Sequence, residues 1–177
     1  EVAKECLRLG ATMINDVSGL GNPLMRKVVA DYNVPAVIMH MQGTPATMQN
    51  NPRYGNVIND ILAYLTLRAT IARNSGIEQI ILDPGIGFGK SLNDNLRTIF
   101  NLCRFKGYYP ILIGPSRKGF IGTVTQRPVE ERLYGTIAAV TACVLNGADI
   151  IRVHDVKECK DAVLVADKQD AQSVKQL

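Results

Sequence analysis

Five short apolar runs, set apart by helix-patterned segments, each lead into polar residues, and that layout leaves few architectures open. Met13-Ile14 ends at Asn15 and Asp16, and Val37-Ile38-Met39 ends at His40. Ile80-Ile81-Leu82 ends at Asp83, Ile111-Leu112-Ile113 leads into Gly114-Pro115-Ser116-Arg117-Lys118, and Ile150-Ile151 ends at Arg152-Val153-His154. Strands joined through helices run parallel, so their C-terminal ends gather on one side of the sheet. In a βα barrel that rim carries the chemistry.

Local signals place the elements. Val2 to Leu9 reads as the end of a helix stopped by Gly10, and Ala11 to Asp16 as the first strand. Asn22-Pro23 is an N-cap with proline in the first turn, opening a helix over Leu24 to Tyr32. Pro35 opens the second strand, and Gln42 to Tyr54, polar with Gly43, Pro45 and Pro52, is a rim loop. Val57 to Asn74 is a helix with Ile58, Ile61, Leu62, Leu65 and Ala69 on one face. Ile80 to Asp83 is the third strand. Asn93 to Cys103 follows as a helix with Leu96, Ile99 and Phe100 inward, then Pro110 to Gly114 as the fourth strand. A helix starts at Pro128-Val129-Glu130-Glu131, with Leu133, Ile137, Val140 and Val144 buried. Asp149 to His154 is the fifth strand and Val156 to Asp167 the last helix.

The expected fold is therefore α/β, a (β/α)8 TIM barrel represented by a partial barrel of about five βα units. The domain covers residues 1–167, with 168–177 a polar, frayed tail. A closed barrel usually takes ~250 residues, so the expectation is that three further units lie upstream of a chain that opens inside a helix. The alternative, a doubly wound open sheet, is weakened because no GxGxxG turn follows any strand.

Composition narrows the function. A net charge of +4 from scattered Lys and Arg residues is no nucleic-acid footprint. No apolar run nears the ~20 residues of a membrane helix. Cys6, Cys103, Cys143 and Cys159 lack CxxC spacing, so four reduced, packed thiols are expected rather than disulfides or a zinc site.

The strand ends carry the candidate chemistry. In Asp83-Pro84-Gly85-Ile86-Gly87-Phe88-Gly89-Lys90, alternating glycines allow close approach to a ligand, and Asp83 can accept paired hydrogen bonds from a guanidine-like heterocycle edge. The bland reading is a turn in which Asp83 caps the next segment. Lys118 can donate to a ring carbonyl or nitrogen, and Ser116 with nearby N–H groups can hold a carboxylate; otherwise this is a solvated basic loop. Strand alternation puts Arg152 and His154 on one face, a phosphate clamp inside the barrel mouth. Asn15 offers a donor and an acceptor, or simply forms a turn; Asp16 reads as structural. Met39 can form an apolar wall, Phe88 can wall a pocket or pack, and His40 reads as a satisfied rim histidine.

At these residues the chain resembles the dihydropteroate synthase family of pterin-binding barrels. The matching stretches are Ile14 to Val17, Met39 to Pro45, Leu82 to Lys90, Ser116 to Lys118 with Ile121-Gly122, and Ile150 to Val156. Gly119 departs from the pattern, where the family often carries a larger residue, with an expected effect only on loop flexibility. The resemblance implies condensation of 6-hydroxymethyl-7,8-dihydropterin diphosphate with 4-aminobenzoate, releasing diphosphate. It implies catalytic roles for Lys118, Arg152 and His154. It implies substrate contacts from Asn15, Met39, Asp83, Phe88, Gly114, Ser116, Lys118, Arg152 and His154. Magnesium is the implied cofactor, with its ligands expected upstream and none in this chain, so that the chain alone is expected to be inactive. The resemblance further implies a sulfonamide target, a homodimer at full length, and a cytoplasmic, mitochondrial or plastid location. A rival is a methyltetrahydrofolate:corrinoid methyltransferase barrel, which needs no diphosphate clamp; a non-catalytic remnant is another.

Overall fold

Parallel pairing follows the sequence order of the strands. In the computed structural model, which describes residues 1–173 and the side chains through residue 168, β1 (Ile14–Asp16) pairs with β2 (Ala36–Met39), and β2 with β3 (Ile80–Asp83). A single bridge, Leu82 to Ile111, leads to β4 (Leu112–Ile113), which pairs with β5 (Ile150–Ile151). Consecutive strands are always neighbours, so there is no switch point where the order reverses. That removes the doubly wound alternative, whose order must reverse. β1, β4 and β5 are shorter than expected, while β3 keeps its expected span.

Register sorts the strand side chains by face. Met39 is opposite Asp83, and Val37 opposite Ile81, with Leu112 opposite Ile150; Val37, Ile81 and Leu112 form a small cluster of their own. The alternate residues Ile38, Leu82, Ile111 and Ile113 enter the main core under the helices. There they meet α3 (Val57–Asn74), whose Ile61 and Leu65 are fully buried. Each such side chain contributes roughly 1.5–3 kcal/mol. The helix covers the sequence span expected for it. Its N-cap is Asn56, whose side chain accepts from the Ile58 and Asn59 amides. Asn22 likewise caps α2 (Pro23–Tyr32) through the Leu24 amide. α1 (Val2–Arg8) precedes β1.

Several expectations are corrected. α4 (Leu92–Phe100) ends early and tightens into a 3-10 turn over Leu102–Phe105. Leu96 and Phe100 are exposed, at 43% and 74%, while Asn95, Thr98 and Ile99 are buried. Asn95 takes the inward position because it works as a tie: its Oδ1 accepts from the Gly87 amide at 2.7 Å and its Nδ2 donates to the Ser91 carbonyl at 2.8 Å. Gly119–Thr125 forms an unexpected short helix, α5, with Phe120 and Ile121 buried. Two glycines and β-branched residues make poor helix formers, so packing overrides propensity here. Gly119 opens that helix rather than lying in a loop, and a Cβ there would meet nothing within 4 Å.

Val129–Glu131 is a 3-10 turn, and α6 (Leu133–Leu145) starts after it. Its buried residues are Thr136, Val140, Cys143 and Val144 rather than Leu133 and Ile137. Thr136 earns its inward place by accepting the Arg117 amide at 3.0 Å. α7 runs Val156–Ser173, so residues 168–173 of the expected tail are helical; 174–177 lie outside the described residues. All four cysteines are free, but Cys6 and Cys103 are exposed rather than packed. Among the described residues no helix is long and apolar enough to cross a membrane.

Candidate active site

The ends of the first and last strands meet. Arg152 Nη1 donates to Asn15 Oδ1 at 2.6 Å, joining residues that lie on opposite edges of the five-strand order. The sheet must curl for this to happen, which brings the strand C-termini around one cavity mouth. Gly114, at the end of β4, makes room for the same guanidinium: a Cβ there would lie 3.2 Å from Arg152 Nη2 and 3.3 Å from Nε. The value of Gly114 is thus the space it leaves for Arg152.

Asp83 is 2% exposed at the C-terminal end of β3. Its Oδ1 accepts from the Gly85 amide at 2.7 Å, and Oδ2 has no hydrogen-bond partner among the described residues. Burial pushes the carboxyl above its ordinary range; the Gly85 amide and the cationic Lys118, Arg152 and Lys90 oppose that. A ligand presenting two parallel N–H groups would stabilise the ionised form.

Lys118 flanks this carboxylate. Its Nζ donates to the Ile86 carbonyl and lies 4.2 Å from the centre of the Phe88 ring. Burial draws its ammonium down to about 8, against the pull of Asp83. This is no solvated basic loop: Lys118 and Phe88 form one unit beside Asp83. Met39, fully buried at the end of β2, is opposite Asp83 in the ladder.

Arg152 and His154 fall beyond β5 and are exposed in this partial barrel, and the bond to Asn15 holds Arg152 at the mouth. The strand ends at Ile151, but the Arg152 amide still donates to the Ile113 carbonyl at 2.9 Å, so the pairing carries on to Arg152. His154 Nδ1 is held 2.9 Å from Ser116 Oγ. Next to this pair, Arg117 makes a two-pronged contact with Asp155, Nε to Oδ2 at 3.0 Å and Nη2 to Oδ1 at 2.5 Å.

Sequence reasoning assigned no role to Lys90. It is 3% exposed, and its three N–H groups meet three acceptors: the Gly85 carbonyl at 2.9 Å, the Phe88 carbonyl at 3.1 Å and His40 Nδ1 at 3.0 Å. Burial brings its ammonium down to about 7. Tyr54 Oη donates to the Gly89 carbonyl at 2.5 Å and Gln49 Nε2 to the Gly87 carbonyl at 3.0 Å, so the glycine loop is braced from the rim loop as well. A lysine directly after alternating glycines was the available signal, because such a loop turns its carbonyls inward and needs a donor. His40 is the satisfied rim histidine expected, and Asp16 is structural, accepting from the Ser18 and Leu20 amides.

His40 gives the fold an acid weakness. Burial and the Lys90 charge pull its imidazole down to about 3. An unfolded chain protonates the ring below its ordinary 6.5. Between those values the unfolded state binds more protons, so stability falls as pH falls, by at most about 1.4 kcal/mol per pH unit. Asp83, raised in the fold, acts in the opposite sense. Urea unfolding across this window is expected to show a slope that flattens in His40→Gln; an unchanged slope would exclude this histidine as its source.

Comparisons with known proteins show the family. A family model described as "Pterin binding enzyme" matches residues 1–154. The chain belongs to the pterin-binding enzyme family. Within that family it is 42% identical over 172 residues to the dihydropteroate synthase of Synechocystis, covering 94% of this chain and 60% of that enzyme. It is 45% identical over 183 residues to the mitochondrial folate synthesis bifunctional protein of Arabidopsis thaliana, covering 94% of this chain and 33% of that one. The crystal structure of the Thermus thermophilus dihydropteroate synthase in complex with 6HMPPP superposes with a TM-score of 0.90 at 39% identity, covering 94% and 68% of the two chains. Another structure of that enzyme holds 4-aminobenzoate. This chain is thus a partial pterin-binding TIM barrel, spanning about 60% of the bacterial curated relative's length.

Proposed function

We propose that this chain carries the pterin and leaving-group part of a dihydropteroate synthase site. The observation that carries the reading is Asp83: a buried carboxylate at a strand end, with one oxygen unpartnered among the described residues and with Lys118 and Arg152 nearby. That combination suits the amino group and ring N–H of a dihydropterin. Asn15 and Lys118 would complete the ring's hydrogen bonds, and Met39 would back it. Phe88 and Ser116 would border the aminobenzoate.

In this reading the bond between the pterin methylene carbon and the diphosphate oxygen breaks, and its electron pair leaves with the diphosphate. The aminobenzoate nitrogen bonds to the methylene carbon and then loses a proton. Arg152 and His154, both exposed at the β5 end, would stabilise the growing negative charge. No protein nucleophile is required.

Magnesium would add further stabilisation of that anion in a dihydropteroate synthase. The residues present do not fit a magnesium shell: among the described residues no three His, Cys, Asp or Glu side chains cluster, and Asn15 Oδ1 already accepts from Arg152. No step is routed through the metal. The family reading also points to a small-molecule enzyme of the cytoplasm, mitochondrion or plastid.

Calorimetric titration tests the proposal. The 177-residue chain is expected to bind 6-hydroxymethyl-7,8-dihydropterin diphosphate and to ignore methyltetrahydrofolate. Preference for methyltetrahydrofolate would transfer the case to the corrinoid methyltransferase reading. Binding of neither would end it.

A further inference from the structure

Ser116 is 5% exposed and sits where the segments after β4 and β5 come together. Its Oγ accepts the backbone N–H of His154 at 3.2 Å and lies 2.9 Å from the Nδ1 of the same residue. One hydroxyl therefore engages both the main chain and the ring of His154. The neighbouring Arg117–Asp155 ion pair cross-links the same two segments, so the approach of Ser116 to His154 is braced one residue further along each.

The hydroxyl has one hydrogen and two lone pairs. The His154 amide takes a lone pair. If the ring nitrogen carried a hydrogen toward Oγ, the hydroxyl hydrogen would need another acceptor, and Ser116 has none among the described residues. If the hydroxyl instead donates to Nδ1, the one hydrogen left without a protein partner sits on an exposed ring, where water accepts it, and not on a buried serine. The neutral ring then carries its hydrogen on Nε2, the nitrogen that has no protein partner among the described residues.

We propose that Ser116 is a positioning residue for His154, locking the imidazole with its Nε2–H facing out of the β5 end as a ready donor to an anionic oxygen. The inference rests on the proposed function for the identity of that anion, a diphosphate. It gives Ser116 a task that acts through His154, distinct from bordering the second substrate. It also assigns the leaving-group contact to a donor whose direction is set before the ligand arrives, which removes the ordering cost at the moment of binding.

The chain has only two histidines, so both rings can be followed in one spectrum. With nitrogen-15 labelled histidine, long-range proton–nitrogen correlation well above the imidazole titration range reads tautomer and Nδ1 hydrogen bonding directly; His40→Gln assigns the signals. His154 is expected to show a single Nε2–H tautomer with a hydrogen-bonded Nδ1. In Ser116→Ala the Nδ1 signal should move to the position of an unbonded acceptor and the tautomers should mix. Ser116→Thr, which keeps the hydroxyl, should restore the wild-type pattern. Titration with inorganic pyrophosphate should shift His154 Nε2, with affinity about five- to tenfold weaker in Ser116→Ala, the worth of one well-directed hydrogen bond. An unchanged His154 spectrum in Ser116→Ala would overturn the positioning role. A spectrum that responds as expected, with pyrophosphate failing to bind the unaltered chain, would leave positioning intact and strike the diphosphate reading instead.

Discussion

Asp83→Asn should lower dihydropterin diphosphate affinity by about a hundredfold or more while leaving the fold at least as stable. Two parallel hydrogen bonds to a carboxylate are worth about 1.5–3 kcal/mol each, and an amide offers only one acceptor. Its NH2 group would face the donors of the ligand and repel them. Stability moves the other way because burial already disfavours the ionised Asp83, so a neutral group of the same shape relieves a desolvation cost. The Gly85 amide, at 2.7 Å from Oδ1, keeps its acceptor if the amide oxygen occupies that position. Calorimetry and thermal unfolding on the same preparation separate the two effects. Affinity within a few-fold of the unaltered chain would remove Asp83 from the pterin site and with it the main support for the function. A large fall in melting temperature would mean that Asp83 serves the loop more than the ligand.

How much of this could be read from residues alone divides along the range of the interactions. Features set by near neighbours were legible: the Asn22 cap with Pro23, the α3 span Val57–Asn74, and the strand Ile80–Asp83. Asp83, Lys118 and Phe88 stood out because each sits at a fixed step past an apolar run, and the resemblance sharpened their roles. Features that depend on a distant partner were not. Asn95 is buried through the Gly87 amide, and Thr136 through the Arg117 amide, so apolar neighbours such as Phe100 and Ile137 lose positions that their hydrophobicity would claim. Lys90 has no role legible in the sequence because its acceptors, two carbonyls and a histidine 50 residues away, are invisible to periodicity. The Arg152–Asn15 bond joins residues 137 positions apart through the curl of the sheet, which no local pattern records.

Gly85 is where these local and distant demands coincide, and Gly85→Ala is expected to be the most destabilising single change at the rim. The residue has φ of +71°, which costs an L-amino acid about 1–2 kcal/mol. A Cβ would also fall inside the van der Waals radius of the His40 carbonyl oxygen, with the His40 carbonyl carbon at 3.0 Å and Met39 Cγ at 3.3 Å. That oxygen is main chain next to the β2–β3 ladder, where the His40 amide donates to the Asp83 carbonyl at 2.9 Å, so it has little freedom to retreat. Overpacking of this kind adds about 1–3 kcal/mol. The sum, about 2–5 kcal/mol, corresponds to a melting temperature lower by roughly 5–15 °C for a chain of this size. Gly119→Ala is the control, since a methyl there meets nothing within 4 Å, and its melting temperature should stay within a degree or two (roughly the effect of ~0.5 kcal/mol). If Gly85→Ala melts with the control, the close approach of the β3 loop to His40 does not exist in solution. The carboxylate that this loop holds in place would then lose its positioning as well.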